Sequence, residues 1–133
     1  MEIIITEWAL DSYLDLLSRI AFTRDEYKKT IRPDVRRLHS YPEDPKFKSA
    51  KFWSPASDPR GGRSIQNGYK MKWHNLGPGK VQLRLPIGIL RQAVLCEAYV
   101  KENAKQEKRK LARFKTHLQL IMMGKYTERG RLP

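Results

Sequence analysis

The spacing of apolar residues along the chain switches between strand-like and helix-like and predicts the order of the first elements. A short β-rich run, "EIIIT" (2–6), leads to Thr6, which can cap a helix whose apolar positions recur at helical spacing as far as Leu17. A second helix is predicted from residue 23 or 24 to about residue 39, and Pro33 inside it either kinks it or splits it in two. The N-terminal part therefore predicts one strand followed by two helices.

The pattern changes to loop and then to strands in the second part of the chain. Residues 41–67 contain four prolines and a glycine pair, which predicts a long basic loop with one short strand around "KFKSAKFW". Three candidate strands follow, "GYKMKWHN", "KVQLRLPIG" and "RQAVLCEAYVK", and the turn "LGPG" between the first two predicts an antiparallel meander. Helical spacing returns over residues 104–123, while residues 124–133 resemble a flexible tail.

The order of elements predicts an α+β fold within one domain over residues 1–133. We expect a small antiparallel sheet made of the N-terminal strand and the three-stranded meander. Two N-terminal helices pack against this sheet, and a basic helix closes the fold.

The segment "GYKMKWHN" alternates apolar and basic residues in an unusual way. Successive side chains of a strand point to opposite faces, so one face receives the apolar set and the other the basic set. The apolar set is Tyr69, Met71 and Trp73, and the basic set is Lys70, Lys72 and His74. The apolar set is predicted to fix the strand against the helices, which leaves three basic side chains on the other face.

Charge is large and unevenly distributed. The 27 Lys and Arg residues outnumber the 14 Asp and Glu residues, for a net charge of +13. Counted in the same way, residues 1–45 carry −2, residues 46–100 carry +8 and residues 101–133 carry +7. Because such a surface attracts polyanions, nucleic acid, an acidic protein or an anionic membrane is the natural partner.

Other features narrow the class of protein. The single cysteine, Cys96, excludes an internal disulfide, and its apolar surroundings predict a buried thiol. No window reaches the roughly 18 apolar residues of a membrane span, and the N-terminus lacks the regions of a signal peptide. No His, Cys, Asp and Glu residues have metal-ligand spacing. We expect a cytoplasmic protein with no membrane segment, metal or cofactor.

The chain from "GYKMKWHN" through "EAYVKENAK" to the basic helix "QEKRKLARFKTHL" resembles the RelE/ParE toxin superfamily, and its HigB-like branch in particular. The resemblance covers residues 1 to about 120 in element order and about 68–118 in residue detail. It implies a RelE-like microbial RNase fold and the toxin of a type II toxin–antitoxin pair. RelE-like and HigB-like members cut mRNA in the ribosomal A site without a metal, whereas ParE-like members inhibit DNA gyrase. The "YKMK" segment matches the paired lysines of RelE-like members, which favours the ribonuclease.

Metal-free RNA cleavage needs a base for the 2′-OH, cations for the phosphate and an acid for the leaving 5′-oxygen. Lysine and arginine can supply all three. A lysine is normally too basic to accept a proton at neutral pH, but crowding among other cations lowers its pKa and lets it act as the base. By the resemblance, Lys70 and Lys72 take the positions of the paired lysines, one as base and the other as phosphate ligand. Lys101 falls where RelE-like toxins have a basic residue for the leaving group. Tyr99, on the same strand face as Lys101, could stack on a base or share proton transfer.

Two assignments stay open. Arg84 on the middle strand could neutralise the phosphate, but Lys80 aligns with the arginine of the family equally well. His74 departs from the simplest RelE pattern and is a rival general base, because histidine titrates near neutrality.

Further basic residues are candidates for RNA binding. Arg60 and Arg63 flank the glycine pair of the long loop, and Lys105 opens the basic helix. His39 and His117 lie in helical stretches and are predicted to be structural.

Each basic feature also has an ordinary interpretation, since lysines often cover the solvated face of an antiparallel sheet. Three functions therefore remain: an mRNA endonuclease, a gyrase inhibitor without catalytic residues, and a basic nucleic-acid-binding module without activity. The first implies mRNA, the ribosome and an antitoxin that is acidic or carries a helix-turn-helix as partners, and no small-molecule substrate.

Overall fold

A computed structural model describes the whole chain, residues 1–133, as an α+β fold around one mixed sheet of seven strands. The strands are β1 (Ile3–Thr6), β2 (Trp53–Ser57), β3 (Ser64–Leu76), β4 (Val81–Ile89), β5 (Ala93–Leu95), β6 (Tyr99–Val100) and β7 (Glu128–Leu132). Their order across the sheet is β2-β3-β4-β5-β1-β7, and β6 pairs with β4 beside β5.

Two long helices and one composite helical stretch accompany the sheet. The α-helical segments are α1 (Glu7–Ser18), α2 (Arg24–Glu26), α3 (Arg32–Arg36) and α4 (Ala104–Met122). A π-helical turn (Tyr27–Ile31) joins α2 to α3, and 3₁₀ turns follow at Arg37–Ser40 and Pro45–Lys48. No helix combines the length and the apolar composition that crossing a bilayer requires.

The predicted start of the chain is confirmed, but the direction of its strand in the sheet is not. The Thr6 hydroxyl accepts a hydrogen bond from the Ala9 amide at 3.2 Å and so caps α1. The prediction of an antiparallel sheet is wrong for β1, which runs parallel to β5 and antiparallel to β7. Ile3 and Ile4 point to opposite faces and both are buried, because β1 is an interior strand with a layer on each side.

The second predicted helix is present as one helical stretch with changing geometry. Thr23 caps it through a reciprocal capping box with Glu26. The π-helical turn comes just before Pro33, which lacks the N–H needed to continue an α-helical ladder. The proline thus changes the winding of the helix without ending it.

The predicted long loop and flexible tail both contain regular structure. Within residues 41–67, most of "KFKSAKFW" forms a 3₁₀ turn and a further turn, and the predicted short strand lies later than expected: β2 begins at Trp53, the last residue of this segment, and β3 begins at Ser64. The tail forms β7, which pairs with β1 and is held by ion pairs from Arg129 to Glu7 and from Arg131 to Glu2. Local composition did not reveal β7, because it is an edge strand that forms only by pairing with β1, more than 120 positions away. At the other edge of the sheet, β2 pairs with β3, the next strand along the chain.

The meander is confirmed, with β3–β4 and β4–β5 antiparallel. The third predicted strand is interrupted: β5 and β6 both pair with β4 but are separated by residues 96–98. Cys96 lies in this interruption and is fully buried, as expected.

The sheet has a hydrophobic layer on each face. The larger layer packs against α1, the π-helical turn and α3, and the smaller one packs under α4. Gly68 and Gly88 are directly opposite each other on β3 and β4, and the side chains of Phe114 and Leu118 of α4 pack against the sheet at this point. A Cβ at these glycines would lie 2.9 Å from the Phe114 ring and 2.7 Å from a Leu118 methyl carbon, so the glycine pair lets α4 approach the sheet closely.

Candidate functional site

The sheet register brings three of the predicted site residues into one row. Lys72 of β3 is directly opposite Arg84 of β4, and Arg84 is directly opposite Tyr99 of β6. Lys70 lies one pleat further along the same face of β3. The row crosses three strands on the face that carries α4.

The alternation of β3 accounts for this arrangement. Met71 is fully buried and Trp73 is 4% exposed, both in the layer beneath α1–α3, and Tyr69 is half-buried against that layer. The apolar set thus fixes β3 to the helices as predicted. Lys70 and Lys72 consequently point to the opposite face.

Arg84 is the most deeply buried cation of the row, at 7% exposed. Its guanidinium donates hydrogen bonds to the backbone carbonyls of Trp73 at 3.3 Å and Leu83 at 3.2 Å. Burial lowers the pKa of this guanidinium, but arginine remains charged in proteins. Arg84 is therefore a fixed positive charge in the middle of the row.

An acidic residue that the sequence pattern did not predict lies at the centre of the site. The Glu107 carboxylate, from the first turns of α4, accepts a hydrogen bond from the Tyr99 hydroxyl at 2.7 Å. Its oxygens are also 3.5 Å from Lys70 Nζ and 3.7 Å from Lys101 Nζ. Glu107 therefore joins β3, β6 and the segment after β6 in one cluster.

Glu107 and Tyr99 shift each other's protonation in opposite directions. Burial and the hydrogen bond to Glu107 raise the pKa of the Tyr99 phenol. Burial alone would raise the pKa of Glu107, but the hydrogen bond from Tyr99 and the charges of Lys70 and Lys101 outweigh it and lower that pKa. The pair is thus a neutral phenol and an ionised carboxylate.

Lys72 has a different environment from the other two lysines. It forms no ion pair, whereas Lys70 and Lys101 both pair with Glu107. Burial lowers the pKa of Lys72, and the nearby charges of Lys70 and Arg84 lower it further. A lysine of this kind can give up its proton more readily than an exposed one, which is the property that a general base needs.

The remaining predicted residues lie apart from this cluster or at its edge. Both ring nitrogens of His74 are engaged, with Gln82 Oε1 at 2.8 Å and the Lys51 carbonyl oxygen at 3.0 Å. Lys80 is exposed in the β3–β4 turn with a φ of 52°, so of the two alternatives on this hairpin it is Arg84 that faces Lys72. Lys105 is exposed at the start of α4.

The two loop arginines are exposed between β2 and β3. The Arg60 amide donates to the Asp58 carboxylate, which also pairs with Lys115 of α4. This contact attaches the loop to α4, while the side chains of Arg60 and Arg63 remain exposed.

The histidines predicted to be structural have structural contacts. His117 is buried and stacks on Trp8, with ring centroids 3.8 Å apart, and burial lowers its pKa. His39 bonds through Nδ1 to the Met1 carbonyl oxygen at 2.9 Å. No group of three or more His, Cys, Asp or Glu side chains is arranged to hold a metal ion.

The sequence did carry a signal for Glu107. Within α4 it is the single acidic residue among basic ones, and it follows the capping Asn103 by four positions. A lone acid in a basic helix, close to the helix N-terminus, is favoured by the helix dipole and is available to bind cations.

Comparison of the chain with protein-family models, with curated proteins and with solved structures found no match.

Proposed function

We propose that the protein is the toxin of a type II toxin–antitoxin system, a metal-independent, ribosome-dependent mRNA endonuclease that inhibits translation and growth in the cytoplasm. The observation that carries the proposal is the row Lys72–Arg84–Tyr99, in which an unpaired lysine with a lowered pKa lies opposite a buried arginine. The resemblance to RelE-like toxins, stated on the "YKMK" segment, gives the same assignment.

The chemistry follows from the position of each group. Lys72, as the free amine, takes the proton of the 2′-OH, and the 2′-oxygen attacks phosphorus to form a 2′,3′-cyclic phosphate. Arg84 and Lys70 stabilise the charge that gathers on the phosphate oxygens. The bond from phosphorus to the 5′-oxygen breaks, and the Lys101 ammonium, with its side chain 43% exposed, gives a proton to that oxygen. The products are a cyclic phosphate end and a 5′-hydroxyl end.

Tyr99 has a supporting role in this scheme. Its hydroxyl is committed to Glu107 at 2.7 Å and the residue is only 3% exposed, which favours fixing the site over stacking on a base.

The test is the double variant Lys70→Ala, Lys72→Ala, induced in bacterial cells beside the wild type. The matched control is Lys28→Ala, Lys48→Ala, which removes the same charge from two exposed lysines outside the cluster. We expect the wild type and the control to arrest growth and to leave cut mRNA ends, and the double variant to do neither. Purified protein should give the same result on mRNA with ribosomes.

The other two functions give distinct outcomes in this experiment. Growth arrest by the double variant, accompanied by DNA damage, would instead identify a gyrase inhibitor. Absence of toxicity from the wild type would leave a nucleic-acid-binding module.

The proposed antitoxin is an acidic protein that covers the site and α4, where the positive charge is concentrated. Residues 46–100 and 101–133 hold all the excess positive charge, since residues 1–45 are net negative, and the site and α4 lie within them. Co-expression of the neighbouring gene product should restore growth, and the complex should weaken as salt is raised.

A further inference from the structure

Glu107 is the one carboxylate in a cluster of cations. It contacts Lys70, Lys101 and Tyr99, and no other carboxylate pairs with either lysine. The Glu107 side chain is 13% exposed, so it is held inside the cluster and does not extend into solvent. Its three contacts come from two strands and a connecting segment.

Hydrogen bonds at the start of α4 fix the position of Glu107. The Asn103 side chain caps the helix by accepting from the Gln106 amide at 2.8 Å. The Gln106 side chain in turn donates to the Val100 carbonyl at 3.0 Å and accepts from the Glu102 amide at 3.3 Å. These bonds attach the first turn of α4 to β6, and the close seat of α4 over the glycine pair holds the rest of the helix.

The contacts of Glu107 divide the three lysines into two kinds. Lys70 and Lys101 are paired with it, whereas Lys72 is not. The charged or titratable groups around Lys72 are Lys70 on its own strand, Arg84 on β4, Lys101 after β6 and Glu107 on α4. Glu107 is thus the one group in this set that favours the charged form of Lys72.

We propose that Glu107 is a positioning residue of the site: it fixes Lys70, which binds the scissile phosphate, and Lys101, which protonates the leaving oxygen, and it leaves Lys72 unpaired as the proton acceptor. This role rests on the proposed ribonuclease function. Glu107 does not touch the reacting atoms; it acts through Lys70, Lys101 and Tyr99.

The variant Glu107→Gln tests this role, because glutamine keeps the size of the side chain and an acceptor for Tyr99 but removes the charge. The control is Glu102→Gln, which removes the same charge from an exposed residue just before α4. Lysine titrations are followed by NMR of ¹³C-labelled lysine side chains, and the Lys72 signal is assigned by its loss in Lys72→Arg. In parallel, mRNA cleavage on ribosomes is measured against pH.

We expect Lys72 to titrate at lower pH in Glu107→Gln than in the wild type, with Lys28 unchanged and Glu102→Gln like the wild type. The acidic limb of the cleavage rate should move to lower pH with it, because the base loses its proton earlier. The rate above that limb should fall, because Lys70 and Lys101 lose the carboxylate that holds them. RNA binding should tighten, and the slope of log affinity against log salt should steepen by about one charge.

An unchanged Lys72 titration in Glu107→Gln would overturn the proposal, and so would a loss of activity equal at every pH. If the wild type cleaves no mRNA, the proposed function fails instead, and the Lys72 titration still decides whether Glu107 controls that lysine.

Discussion

The buried carboxylate of Asp34 connects the helical side of the protein to the strand that carries the site. It accepts hydrogen bonds from the Trp73 indole N–H at 2.9 Å, from Arg37 Nε at 3.0 Å and from Lys46 Nζ at 2.7 Å. Trp73 stands next to Lys72 on β3, and its backbone carbonyl accepts from Arg84. Replacing Asp34 with alanine therefore tests how firmly the site strand is fixed.

The cost of Asp34→Ala follows from the exposure of its three partners. Trp73 is 4% exposed, so its indole N–H would be left buried without an acceptor, at a cost of about 1–3 kcal/mol. The side chains of Arg37 and Lys46 are 39% and 38% exposed and can be hydrated again, so their loss adds no more than about 1 kcal/mol. The expected loss in free energy of unfolding is about 1–4 kcal/mol.

Urea unfolding followed by tryptophan fluorescence measures this loss. Asp25→Ala is the control, since Asp25 forms an exposed pair with Lys29 and should change stability by less than about 0.5 kcal/mol. In a Trp73→Phe background no indole N–H remains, so Asp34→Ala should cost about 1–3 kcal/mol less than in the wild type. Equal costs in both backgrounds would refute the role assigned to the indole hydrogen bond.

Two further predictions concern Lys72 and β7. Lys72→Met should abolish mRNA cleavage yet stabilise the protein at neutral pH, because the folded state disfavours the Lys72 charge. The pKa of Lys72 is lower in the folded state than in the unfolded state, so between these two pKa values the unfolded wild type binds more protons than the folded wild type. The wild type therefore gains stability as pH rises through this window, and the stability advantage of Lys72→Met should shrink. A difference in urea midpoint that does not change with pH would contradict this prediction. Deleting residues 128–133 removes the strand that pairs with one edge of β1, so the free energy of unfolding should fall by about 1–3 kcal/mol and the melting temperature should fall with it. An unchanged melting curve would mean that β7 adds nothing to stability.

The fold was predictable where the signal was local and not where pairing was distant. Periodicity and capping at Thr6 located β1 and α1, and the "LGPG" turn located the β3–β4 hairpin. The parallel pairing of β1 with β5 and the strand β7 were missed, because both depend on contacts between residues about 90 or more positions apart. A polar segment such as 128–132, with one partly buried residue, carries no alternation that composition could detect.

The site was predictable on the sheet and not on the helix. Strand alternation placed Lys70 and Lys72 on one face, and the meander placed Arg84 and Tyr99 beside them, because register follows from a tight turn. Whether an α4 side chain reaches that face depends on how closely the helix approaches, and this is set by Gly68 and Gly88, which the sequence marks only as glycines in strands. The position of Glu107 is thus a consequence of packing. The glycine pair lets α4 approach the sheet closely, and this brings the one carboxylate of α4 among the cations. The net charge of the site therefore depends on where the helix lies and not on the strands alone.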